Sequence, residues 1–152
     1  MKLNTPVAII SVLVDNQDEA LHFYTQKLGL EKRTDVTFGP GLRLLTVAPR
    51  GQQKPEIALA TPDVKRMGEE HINALKARRS HRATPWIFDT DDCCQVYEML
   101  KARGVSFVSE PVRQSYGLEA VFEDPYGNTF VLLEPAPEVR AWFERHYTGT
   151  AA

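Results

Sequence analysis

The sequence holds only two cysteines, Cys93 and Cys94, and they are neighbours. Adjacent side chains point apart and rarely bridge, so no disulfide framework is encoded, and a reducing cytoplasm is the implied compartment. No stretch comes near the roughly 18 apolar residues of a membrane span. Met1–Pro6 carries neither a long apolar run nor a small-residue cleavage site. An excess of charge of one sign is missing too: the formal net charge is −2. Nothing in that balance draws the chain toward nucleic acid. A local basic run, Lys76-Ala77-Arg78-Arg79-Ser80-His81-Arg82, reads as a solvated face or an anion-contacting edge.

What is present is a pattern that occurs twice in 152 residues, a length for one domain or two small fused modules. Residues 7–14 (VAIISVLV) are short and β-branched, as a buried strand is. Ala20, Phe23, Tyr24, Lys27 and Leu28 then recur at spacings of three and four, which predicts a helix over 17–28. Asp15 or Asn16 would cap it and Gly29 would end it. Residues from Leu30, 41–48 and 56–61 read as further strands. The second half repeats this order, with a strand over 85–90 and a helix capped by Asp91 or Asp92 and ended by Gly104. Strands at 105–111, 117–123 and 129–134 follow. The pattern βαβββ thus appears over 5–62 and 85–136, its helix caps 76 residues apart (92 − 16). A repeat of this kind suggests duplication of a unit that cannot cover its own sheet. Residues 63–84 form a polar, partly helical connection, and 137–152 a short helix and tail with Trp142, Phe143 and Tyr147 available for packing.

The stretches VLVDNQDEALHFYTQKLGL (12–30) and LEAVFEDPYGNTFVLLEP (118–135) resemble the opening module and the closing hairpin of the vicinal oxygen chelate superfamily. That group includes glyoxalase I, bleomycin-resistance proteins and extradiol dioxygenases. The resemblance spans about residues 5–136, carried by Phe23-Tyr24, Leu28-Gly29 and the Asp124-Pro125-Tyr126-Gly127-Asn128 turn. It implies an α+β fold: two βαβββ modules forming a U-shaped cleft of eight mixed strands, helices on the convex side, often as a homodimer.

Metal-dependent members of that superfamily place four ligands, usually His, Glu, His and Glu, on four strands. Carried over by position, these fall on Ile9, Glu56, Pro85 and Val131, so one carboxylate remains. A lone carboxylate does not hold a catalytic metal, and no metal or other cofactor is expected. His22, His71, His81 and His146 lie outside the strands and read as surface or packing residues.

If Ile9 faces the cleft, alternation brings Ser11 and Leu13 with it. The same rule selects Ala58 and Ala60 beside Glu56, and Ile87 and Asp89 opposite Val131, with Arg43 and Glu119 on the third strands. Trp86 and Phe88 then turn toward the helices. Ser109, Arg113 and Tyr116 sit in a segment read as a loop edging the cleft, where Tyr116 can stack on a ligand. Glu56 and Asp89 fix a cation or donor and Arg43 an anion, unless Arg43 pairs with Glu56; Glu56 or Asp89 would serve as a general base if burial raised its pKa. Cys93 and Cys94 open a helix, but Asp91 and Asp92 oppose thiolate formation.

The leading expectation is metal-free binding of a small organic molecule in an apolar cleft. A metal-dependent lyase or isomerase similar to glyoxalase I, and a protein-interaction module using 76–82 and the aromatic tail, are the alternatives.

Overall fold

A computed structural model of the chain describes residues 1–79 and 85–147. It divides into two compact units: Met1–Arg82 with Pro125–Asn128, and Ala83–Asp124 with Thr129–Ala152. Each contains one four-stranded mixed sheet.

In the first unit, β1 (Ile9–Leu13), β2 (Glu31–Thr37), β3 (Arg43–Ala48) and β4 (Glu56–Ala60) lie in the order β1-β4-β3-β2. β1 runs parallel to β4, and the other pairs are antiparallel. The predicted helix is α1 (Gln17–His22) followed by a π-helical turn, Phe23–Lys27, where Leu28 N–H reaches Phe23 O at 3.1 Å. The wider turn lets two consecutive aromatic residues, Phe23 and Tyr24, both be buried, with ring centroids 5.2 Å apart. Of the two cap candidates it is Asn16 whose side chain accepts Glu19 N–H, at 2.9 Å. The apolar positions on one side of the sheet, Val12, Leu45, Val47, Ile57 and Leu59, are buried with α1 residues such as Ala20.

The connection forms α2 (Val64–Met67) and α3 (Glu69–Arg79). Its basic run is partly paired: Arg79 and Lys76 approach Asp15 at 3.0 and 3.9 Å. The Arg79 hydrogen bond, ahead of the opposing desolvation, holds the Asp15 carboxyl below its usual range. Ser80, His81, Arg82 and Thr84 lie outside the described residues. The turn Pro125–Asn128 belongs to this unit through Tyr126, which donates to Glu19 Oε1 at 2.8 Å, and Asn128, which donates to Leu13 O at 2.8 Å.

In the second unit, β5 (Trp86–Asp89), β6 (Ser106–Gln114), β7 (Gly117–Glu123) and β8 (Thr129–Pro135) take the order β5-β8-β7-β6. Helix α4 (Cys93–Ala102) is capped by Asp92, whose side chain accepts Gln95 N–H at 3.0 Å. Its Tyr97 ring meets Phe107 at 4.6 Å, and Phe107, Phe122, Phe130, Phe88 and Trp86 continue the ring cluster on the helix side. The segment read as a loop before the seventh strand is mostly strand. β6 runs on to Gln114, with two irregularities in its pairing to β7, leaving Ser115 and Tyr116 as the turn. A bulged strand keeps its ladder past Pro111, so the proline did not end it. Helix α5 (Pro137–Tyr147) closes the described chain; Trp142 is exposed, and the side chains of Phe143, His146 and Tyr147 lie outside the description. Among the described residues no helix is long and apolar enough to cross a membrane.

Candidate functional site

Register decides which side chains share a face. In the first sheet Ile9 pairs with Glu56, Ser11 with Ala58 and Leu13 with Ala60. These six therefore lie together, opposite the buried Val12, Ile57 and Leu59. Thr46 pairs with Ala58, so Thr46 and Leu44 join them.

Arg43 does not. One residue from Leu44, it points to the helix side, where its guanidinium bonds Asp35 at 2.8 and 2.9 Å and Asp18 of α1 at 2.7 Å. The anticipated partner, Glu56, is on the other face. Arg43 thus ties a sheet edge to a helix and is removed from the binding set.

Glu56 has partners that the sequence pattern did not reveal. Lys32 pairs with Val47 and Asp35 with Leu45, three steps on β2 against two on β3. That bulge sets Arg33 and Thr34 opposite the single residue Thr46. The Thr34 N–H donates to Thr46 Oγ1 at 3.0 Å, and both hydroxyls donate to Glu56 Oε1, Thr34 at 3.0 Å. Thr46 is fully buried, and its hydroxyl is satisfied both as donor and as acceptor. The Thr46 bond foremost, then Thr34 and the nearby Arg33, hold the Glu56 carboxyl below its usual range against an opposing desolvation. The condition for Glu56 as a general base, a pKa raised by burial, is therefore not met.

In the second sheet Ile87 pairs with Val131 and Val131 with Val121, while Asp89 and Glu119 both pair with Leu133. This face carries Ile87, Val131, Asp89 and Glu119, opposite the aromatic cluster. Its polar groups are engaged locally. Arg140 of α5 donates to Asp89 at 2.7 Å and to Thr90 O at 2.9 Å. A Tyr116–Glu119 hydrogen bond raises the tyrosine pKa. Ser109, also on this face through its pairing with Val121, donates to its neighbour Glu110 O at 3.0 Å.

The pairings also bear on metal chemistry. Glu56 stands beside Ile9, and Val131 stands beside Ile87 rather than Pro85. The first pair offers one carboxylate and the second none, so neither fits a site for zinc, nickel, iron or manganese. At Cys93, burial first, then Cys94 and Glu134, push the thiol up to about 11, away from the thiolate form.

A groove of about 470 Å³ in the first unit lies elsewhere, lined by Leu42, Pro62, Asp63 and Lys65 of α2 among others. Asp63 spends its side chain on the Lys65 and Arg66 N–H groups, and none of the candidate residues reaches this groove.

A sequence profile described as the Glyoxalase/Bleomycin resistance protein/Dioxygenase superfamily matches residues 7–132, and the chain belongs to that superfamily. Among its relatives, the uncharacterized protein YurT of Bacillus subtilis (strain 168) is 32% identical over 131 residues, 84% of this chain and 98% of YurT. The crystal structure of UcmS2 superposes with a TM-score of 0.79 at 34% identity, covering 87% of this chain and 99% of UcmS2. TnmS3, an antibiotic binding protein from Streptomyces sp. CB03234, gives a TM-score of 0.70 at 25% identity, covering 90% of this chain and 100% of TnmS3.

Proposed function

We propose that this protein binds a small organic molecule of the antibiotic class, without a metal, through the strand faces that turn away from α1 and α4. The observation that carries this reading is the loss of metal-ligand chemistry in each sheet: Ile9 beside the single carboxylate Glu56 in the first, and Ile87 beside Val131 in the second. A face of small and aliphatic side chains with few polar groups is the usual profile of a small-molecule site. Similarity to the antibiotic binding protein TnmS3 supports the ligand class. Two adjacent free thiols, Cys93 and Cys94, support a reducing, cytoplasmic setting. The homodimer that the family resemblance implies is weighed by light scattering at twice the 17.2 kDa chain mass.

The deciding experiment has two parts. Mass spectrometry measures metal in the purified protein before and after incubation with zinc, nickel, iron and manganese. A thermal-shift panel of antibiotics of several chemical classes then seeks ligands. The expected result is no stoichiometric metal and at least one stabilising compound. One tightly held metal per chain would overturn the reading in favour of a lyase or isomerase of the glyoxalase I kind.

A further inference from the structure

The state of Glu56 narrows the chemistry of the ligand. An ionised carboxylate offers about four lone-pair positions. Glu56 Oε1 takes the Thr34 and Thr46 hydroxyls; among the described residues Oε2 takes no hydrogen bond. Its surroundings on the same face are small or apolar: Ile9 beside it, then Ser11 and Ala58 in the next pair of the ladder. The nearest guanidinium, on Arg33, is committed to Pro49 O at 2.9 Å and to Glu31 at 3.5 Å. Arg50 also turns to Glu31, at 3.8 Å, so Glu31 and Pro49 O, not Glu56, take the hydrogen bonds and contacts of these cations.

We infer that Glu56 Oε2 is the recognition point for a hydrogen-bond donor on an otherwise apolar ligand, and that a protonated amine suits it best. This rests on the binding reading above. The two threonine hydroxyls fix the carboxylate in its charged form and in one orientation, so a ligand amine meets a prearranged acceptor rather than a mobile side chain. A bond with charge on both partners is roughly twice as strong as one between neutral groups. Ser11 and Ile9 are exposed on this face, so a ring can cover them while its amine reaches Oε2.

The test uses three naphthalenes that differ in one substituent: 1-naphthylmethylamine, 1-naphthalenemethanol and 1-methylnaphthalene. Each is titrated into the full chain and into Glu56→Gln, with fluorescence as readout and circular dichroism as the check on folding. In the unaltered protein the amine should bind about tenfold more tightly than the methyl compound, with the alcohol between them. In Glu56→Gln the ratio of amine to methyl affinity should fall to about one. Raising salt should weaken the amine alone, a reading that needs no variant. Equal affinity for amine and methyl compound in the unaltered protein would overturn the donor assignment and leave the binding reading standing. Failure of all three to bind would remove both.

Discussion

In the first module Asn16 caps α1 by accepting an N–H three residues on, and in the second Asp92 caps α4 in the same way. Strand order is also shared, with the helix-bearing strand parallel to the last one. The faces turned away from the helices are not shared. The first carries Glu56 with its two threonine donors, while Ile87, Val131 and Val121 make the matching row of the second hydrocarbon. The helix sides differ in kind as well. The first joins sheet edge to helix through Arg43, Asp18 and Asp35, and the second packs a lattice of rings. Capping and strand order are common to the two modules; the side chains on the faces turned away from the helices are not.

The largest test of that contrast is in the cores. Phe122 touches Phe88, Phe107 and Phe130, whereas Phe23 meets Tyr24. Truncation of a buried phenylalanine costs about 3–5 kcal/mol. Urea unfolding should put Phe122→Ala at the top of that range and Phe23→Ala at the bottom. Equal losses would mean that the ring lattice adds nothing beyond buried area.

The hairpins come next. Gly41 and Gly117 both have positive φ, 74° and 149°. A Cβ on Gly41 meets nothing within 4 Å, while one on Gly117 clashes with Glu134 O and comes 2.9 Å from Ala136 N. Gly41→Ala should cost about 1–2 kcal/mol from backbone conformation alone, and Gly117→Ala more, read as the difference in melting temperature. A reversed order would break the comparison. The caps should behave alike: Asn16→Ala and Asp92→Ala should each lose about 1 kcal/mol in urea titrations. A silent Asp92→Ala would show the second helix to be held by packing instead.

The smallest expected effect is a pH dependence confined to the first module. The folded state holds the Glu56 pKa below its unfolded value, so on acidification the unfolded chain takes the proton first. The stabilisation is present above the unfolded carboxylate pKa and is lost as pH falls through the folded one. The melting-temperature gap between the unaltered chain and Glu56→Gln should therefore be widest near neutrality and close in acid. A gap independent of pH would mean that the carboxylate charge contributes nothing.

The local signals were legible in the sequence. Asx residues before apolar periodicity marked both helix starts, and alternation placed Ile9, Ser11, Ala58, Ile87 and Val131 on shared faces with Glu56 and Asp89. What escaped depends on long-range register. The bulge at Arg33 and Thr34 has no glycine to announce it, so the Thr34–Thr46–Glu56 set could not be assembled by counting. Arg43 was set on the wrong face because strand parity is fixed only by pairing. Arg140 lies 51 residues from Asp89, beyond any local pattern. The π-helical turn escaped because it keeps nearly the same apolar spacing as an α-helix.

The path from Thr34 N–H through the Thr46 hydroxyl to the Glu56 carboxylate has a consequence for descent. Valine at position 46 would strand a backbone donor and strip the acid of one of its two hydroxyls. A hydrocarbon at position 56 would leave two hydroxyl donors without their acceptor. In diverging lineages these three positions should therefore be inherited and lost as a single character. The second module, which has no such set, leaves its mid-sheet positions free to drift one at a time.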